Sequence, residues 1–333
     1  PFMYDSIEGA LTVIDEVELT VHESIGSTDD TFSRDVPITT EFEKILRSLV
    51  VNLNVEGRLV DGMGSILYIC GGDSYSNSLL QDLIQWRKEQ GYKVYTATTS
   101  QIGQNVSSIK NYIHDAYMNW ENPPEYIVLV GDTGGSFPIS TSTSSGGASD
   151  YDYTLLEGDD FLPEMFVGRI SASSNSELSN IINKTLAYEK ATFINYTGTD
   201  WYESSALVGD PSATGNSAII TNEYVENILN AYLFDNIQTC YVCSYSSWMQ
   251  NRLEEGILYF NYRGYIGTSG FGSNNISNAN NGYMTPFATF ITCATGDFQQ
   301  TSISESFIRA GTVANPKGAV AAVGTATSAT HTV

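Results

Sequence analysis

The chain has 333 residues, of which 15 are Lys or Arg and 38 are Asp or Glu, giving a formal net charge of −23. Apolar residues make up 41% of it, enough for one or two folded domains, and no apolar run approaches the roughly 18 residues needed to cross a bilayer. So acidic a surface repels phosphate backbones and excludes nucleic acid as a natural partner; it suits basic peptides or metal ions, or serves solubility alone.

Residues 1–60 read as a segment apart. Val17-Glu18-Leu19-Thr20-Val21 alternates like a half-buried strand, and Thr40 with Glu43 has capping-box spacing ahead of Phe42, Ile45, Leu46 and Leu49 on one helical face. The chain opens on Pro with no visible leader peptide, and ends at Val333 soon after a strand-like run, so it reads as a processed or trimmed piece of a longer product.

From Gly64 a strand, a Gly- or Asp-bearing turn and an amphipathic helix recur. Strand 66–69 precedes a helix with Leu79, Leu80, Leu83 and Trp86 that Gly91 ends; strand 94–97 precedes one with Val106, Ile109, Ile113 and Ala116. Strand 126–130 runs into Gly131-Asp132, and strand 165–169 into a helix with Leu178, Ile181, Ile182 and Leu186. Then follow strand 206–208, a helix with Val225, Ile228 and Leu229, strands 257–260 and 287–292, a helix with Ile303, Phe307 and Ile308, and strand 319–323. Such alternation predicts an α/β chain with two doubly wound, mostly parallel subdomains, 61–200 and 201–333.

The four cysteines are too few for a disulfide scaffold at this length. Cys70 ends an apolar run and reads as core. Cys240 and Cys243 form a C-x-x-C, which favours a structural pair or a local disulfide over zinc because the three histidines are scattered. Cys293 ends the run Phe287-Ala288-Thr289-Phe290-Ile291-Thr292, at the carboxyl end of a predicted strand, where open α/β sheets hold their ligands. A thiol there is either an inert core group or a nucleophile that needs a base, a positive neighbour or a helix N-terminus.

Three stretches extend that reading. Pro286-Phe287-x-x-x-Ile291-x-Cys293-x-x-Gly296-Asp297-Phe298 with Glu305-Ser306-Phe307-Ile308-Arg309-Ala310, then Leu129-Val130-Gly131-Asp132 through Ser149-Asp150, Tyr153, Gly158-Asp159-Asp160 and Glu164-x-Phe166-x-Gly168-Arg169, and Asn261-Tyr262-Arg263-Gly264, together resemble the gingipain family of secreted bacterial cysteine peptidases. The resemblance spans about residues 64–333 and implies a caspase-like three-layer sandwich, with residues 1–60 similar to the segment joining propeptide to catalytic domain. By it Cys293 is the attacking thiolate, and backbone N–H groups at Cys293 and near Gly264 hold the tetrahedral oxyanion. It also implies a protein or peptide substrate cut after Arg or Lys, no required cofactor, calcium as a structural ion, and a secreted or cell-surface location within a larger polypeptide. The abundance of Asn, Ser, Thr, Tyr and Gly beside scarce Lys and Arg agrees with such a location.

One position departs from the family pattern. Where the catalytic histidine is expected stands Tyr265, and a phenol, with an ordinary pKa of about 10, is a poor base at neutral pH. His22 follows the N-terminal strand-like run and His114 lies on a helix surface; His331 leaves the strand after the Cys293 strand and helix, and either replaces the base or lines the specificity pocket. Among the acidic residues 150–164, Asp160 occupies the place of the family's pocket-floor carboxylate; a solvated loop or a calcium site are the other readings. Three functions therefore stay open: a cysteine endopeptidase, a catalytically silent structural or binding module, and a sorting transpeptidase.

Overall fold

The computed structural model describes residues 2–5, 10–13, 38–49, 59–60, 62–144 and 146–328, and divides the chain into two units, Pro1–Ser33 and Arg34–Val333. The smaller contains an antiparallel pair, Phe2–Asp5 with Ala10–Val13; the predicted strand at 17–21 and His22 lie outside the described residues.

Within the larger unit two parallel sheets carry the body. The first is built from β1 (Ser65–Cys70), β2 (Lys93–Thr98), β3 (Tyr126–Val130) and β4 (Phe166–Ile170), in the order β4-β3-β1-β2. The second contains β5 (Ser204–Gly209), β6 (Asn236–Cys240), β7 (Tyr259–Ile266), β8 (Phe287–Cys293) and β9 (Ala321–Gly324), in the order β6-β5-β7-β8-β9. Each sheet starts at an inner strand, steps outward once and then winds back across it, the doubly wound order expected from the alternating pattern.

Side-chain alternation on β1 explains why a continuous apolar run becomes a central strand. Ile66, Tyr68 and Cys70 face α2 (Ser78–Glu89) and α4 (Asn175–Glu189), while Leu67 and Ile69 face α3 (Val106–Asn119). Asn77 caps α2 by accepting from the Leu80 N–H at 3.0 Å, and Gly91, at φ +97°, lets the chain turn back into β2. Burial pushes the Cys70 thiol up to about 12, as befits the core residue the sequence predicts. On the second sheet Phe260, Tyr262, Ala288 and Phe290 pack against Met249 and Leu253 of α6 (Tyr245–Glu255) and Phe307 of α7 (Ile303–Arg309). The opposite face receives α5 (Ser217–Ala231), whose buried Asn222 accepts from Asn261 Nδ2 at 2.7 Å. Helices on both faces of parallel strands make the caspase-like layered sandwich.

Residues 38–49 pack on the body: α1 (Thr40–Leu49) sets Phe42 edge-on against Phe166 of β4, and Thr39 donates through its N–H and hydroxyl to the buried Glu125 carboxylate at 2.8 and 2.7 Å. The two units divide at Ser33/Arg34. β6 and α6 were not predicted. Asn236-Ile237-Gln238-Thr239-Cys240 carries too few apolar side chains for a periodicity signal because it lies at the sheet's margin, where one neighbour suffices.

Lys184 of α4 is 1% exposed and donates to the carbonyls of Ile308 (2.7 Å), Lys317 (2.8 Å) and Ala310 (3.3 Å), tying the end of α7 to the first sheet. Burial lowers its pKa from 10.5 to about 7. Between those values the unfolded chain binds more protons than the folded one, so this site's contribution to stability rises with pH from about 7 to 10.5, by up to ~1.4 kcal/mol per pH unit. Urea unfolding should show wild type gaining on Lys184→Met between pH 7 and pH 9; a pH-independent difference between the two refutes this.

Candidate active site

β7 and β8 are neighbours and parallel, so their carboxyl ends meet. Arg263 pairs with Ile291, but the next aligned pair is Ile266 with Cys293, so β7 spends one more residue than β8 and bulges. The bulge lifts Tyr265 and Ile266 outward, 51% and 60% exposed, directly beside Cys293. Cys293 is 5% exposed and stands beyond the apolar cluster that holds Ala288 and Phe290 of its own strand. Its carbonyl accepts from the Gly267 N–H at 3.2 Å, and the Thr292 hydroxyl donates to the Gly267 carbonyl at 3.2 Å, which closes the loop after β7 onto the end of β8.

Ala294 follows with φ +58°, a left-handed conformation that costs a residue bearing a Cβ about 1 kcal/mol or more. Its N–H donates to the Thr327 carbonyl, and those of Thr295 and Gly296 to the Thr325 carbonyl. The strain is therefore held by the chain that leaves β9. A strained turn immediately after the strand end fixes the backbone of Cys293.

The first sheet supplies the facing wall. Ala148 N–H donates to Asp297 Oδ1 at 3.3 Å, Thr133 Oγ1 to the Phe298 carbonyl at 3.1 Å, and the Arg169 guanidinium lies 4.9 Å from the Phe298 ring centre. Arg169 is also paired with both oxygens of Asp150 at 2.8 Å. Segments 147–150, 293–298 and 325–327 thus lie against one another.

Sequence-predicted groups divide accordingly. Gly264, Tyr265 and Cys293 converge. Asp160 is exposed on the acidic loop and accepts from the Leu162 N–H at 2.8 Å. His114 is exposed on α3, and His331 lies outside the described residues. The acidic residues do not gather around a cation: Asp150 is taken by Arg169, Asp152 by Ser142, and Glu164 by the Leu156 and Glu157 N–H groups. Among the described residues no three His, Cys, Asp or Glu side chains are grouped to hold a metal. Cys240 and Cys243 form a disulfide at the carboxyl end of β6, in keeping with the local pairing expected.

Sequence inspection missed the groups behind the β7 loop. Asp210, at the exit of β5, accepts from the Ser212 N–H at 3.0 Å and from the Ser269 hydroxyl; burial raises its pKa, but these hydrogen bonds outweigh it and hold the carboxyl below its ordinary value. Burial pushes the Tyr262 phenol up to about 12, and its oxygen lies 2.6 Å from Ser269 Oγ. Gly209-Asp210-Pro211, a strand exit followed by a capping residue, is the one signal that points to them.

Residues 62–333 match the model of Peptidase family C25. The chain belongs to that family. Gingipain R2 of Porphyromonas gingivalis is 26% identical over 97% of this chain, and Lys-gingipain W83 of the same species is 27% identical over 79% of it. The chain spans 45% of the first of these relatives and 15% of the second. Among solved structures, the Arg specific cysteine proteinase gingipain R superposes with a TM-score of 0.68 at 26% identity, covering 79% of this chain and 62% of that one. The complex of Porphyromonas gingivalis RgpB pro- and mature domains gives 0.69 at 26% identity, covering 78% and 63%. In this C25 chain the bulge beside Cys293 carries Tyr265.

A Cβ added at Gly296 would lie 2.4 Å from the Gly324 carbonyl oxygen, a backbone atom that has no room to retreat. Gly296→Ala should therefore cost about 2–3 kcal/mol in chemical denaturation. A loss under about 0.5 kcal/mol would mean that the segment behind Cys293 yields freely.

Proposed function

We propose that the chain is the catalytic part of a secreted or cell-surface cysteine endopeptidase that cleaves after Arg or Lys through a thioester on Cys293. The observation that carries this reading is the pairing of Ile266 with Cys293 across parallel strands, which brings the loop after Gly264 and the thiol to one rim. The Cys293 thiolate attacks the scissile carbonyl, the amine leaves with a proton, and water hydrolyses the resulting thioester. Support for a basic residue before the cut comes from the acidic loop, whose inner end at Ala148 and Asp150 adjoins the Cys293–Phe298 segment while Asp160 stays exposed. The Cys240–Cys243 disulfide supports an oxidising compartment.

A second reading is favoured by Tyr265. Exposed where the family pattern expects histidine, it suits a silent relative whose fold serves binding. An arginyl chloromethyl ketone separates the two: alkylation of Cys293, read by mass spectrometry of the peptide, belongs to the peptidase, and an unmodified thiol to the silent module. Tyr265→His should raise kcat/KM on an arginyl amide by about 100-fold or more if it restores a general base. If His331 is the base, His331→Ala should abolish cleavage and Tyr265→His should add little. Asp160→Asn should lower the rate on arginyl substrates by about 100-fold relative to an uncharged one; an unchanged ratio removes Asp160 from the pocket.

A further inference from the structure

The outward side of α5 is apolar where a solvent-facing helix is ordinarily polar. Ala218, Asn222 and Leu229 form its buried side, while Ile220, Tyr224 and Ile228, spaced one turn apart, are 61%, 66% and 39% exposed. Exposed apolar side chains scattered singly are unremarkable in any protein, but a row of them along one helix marks a surface that something else covers.

The row continues past the end of the helix. There the Phe234 N–H donates to the Leu229 carbonyl at 3.2 Å and the Leu233 N–H to that of Asn230 at 3.1 Å, a closing turn whose left-handed position usually falls to glycine. Leu233 occupies that position, at φ +64°. It is 79% exposed and Tyr232 is 76% exposed, so the leucine meets the steric cost of its backbone conformation and recovers little of it by burial. Such an outlier points to a contact outside the chain.

Charge narrows the kind of contact. Between Lys190 and Arg252 the chain has no basic side chain but six carboxylates, among them Glu223 and Glu226 on α5 and Asp235 just after Leu233. None of these three forms a salt bridge among the described residues. A second copy docked face to face would set like charges together, and an anionic membrane surface would be repelled in the same way. A basic amphipathic helix meets neither conflict. Its apolar row would lie along the Ile220, Tyr224 and Ile228 ridge, with Lys or Arg at its margins answering the carboxylates.

We propose that the outward side of α5 and its closing turn form a docking surface for a basic amphipathic helix of a partner protein. The inference stands apart from the peptidase reading, because it uses no group of the candidate active site.

The test uses the full chain and a fluorescent amphipathic helical peptide of Leu and Lys, beside an analogue in which every Lys is Gln. Anisotropy titration should give binding of the Lys peptide that weakens by about 10-fold or more in the combined variant Ile220→Ser, Tyr224→Ser, Ile228→Ser, and by about 5-fold in Glu223→Gln, Glu226→Gln. Leu233→Gly separates docking from folding: it should raise the urea midpoint, because glycine relieves the left-handed position, and yet weaken binding by about 5-fold. Undiminished binding by the triple serine variant overturns the inference, since the peptide then uses the acidic surface at large. Equal affinity for the Lys and Gln peptides overturns the basic character of the partner. Self-association in sedimentation velocity that the triple variant abolishes overturns it too, by giving this face to a second copy.

Discussion

The Glu305 carboxylate, 4% exposed, is the contact on which the relation of the two sheets depends. One oxygen closes the capping box of α7 by accepting from the Ser302 N–H at 2.8 Å; the other accepts from Ser171, at the end of the first sheet, and from Arg309, both at 2.6 Å. Arg309 then reaches Asp132 at 2.9 Å and the Ser171 carbonyl at 2.9 Å. Charge-assisted hydrogen bonds among buried groups leave each unsatisfied if one is lost, so the cluster holds or fails as a unit. Because α7 follows closely on the Cys293–Phe298 segment, the carboxylate that starts this helix also sets where the turn after Cys293 stands against the first sheet.

Around that seam the site is made almost entirely of backbone. Cys293, Ala294, Thr295 and Gly296 are each tied to a neighbouring segment through main-chain hydrogen bonds, and the bulge in β7 decides which side chains project beside the sulfur. Such a frame tolerates exchange of the projecting residues, since neither Tyr265 nor Ile266 is needed for packing. The groups that flank Cys293 on the bulge are thus ones the fold itself does not require.

The alternating sheet architecture, the core role of Cys70 and the place of Cys293 at a strand end were legible because each follows from apolar runs and the ends of strands. The motif Glu305 to Ala310 was legible as a pattern but not as a mechanism: nothing local tells that Glu305 bonds Ser171, 134 positions away. Lys184 and Arg263 escaped for the same reason, as their acceptors are main-chain carbonyls, which carry no residue-type signature. The packing of α1 on the body escaped as well, because the partner of its Phe42, Phe166, lies far down the chain.

The polar outer strand β6 has one further consequence. A sheet margin presents unsatisfied amide groups to any passing extended peptide, and long apolar margins recruit one another into aggregates. Here the margin carries Asn236, Gln238 and Thr239, and its far end is cinched into a small covalent ring by Cys240 and Cys243. The composition that hid this strand from periodicity is also one that disfavours edge-to-edge pairing.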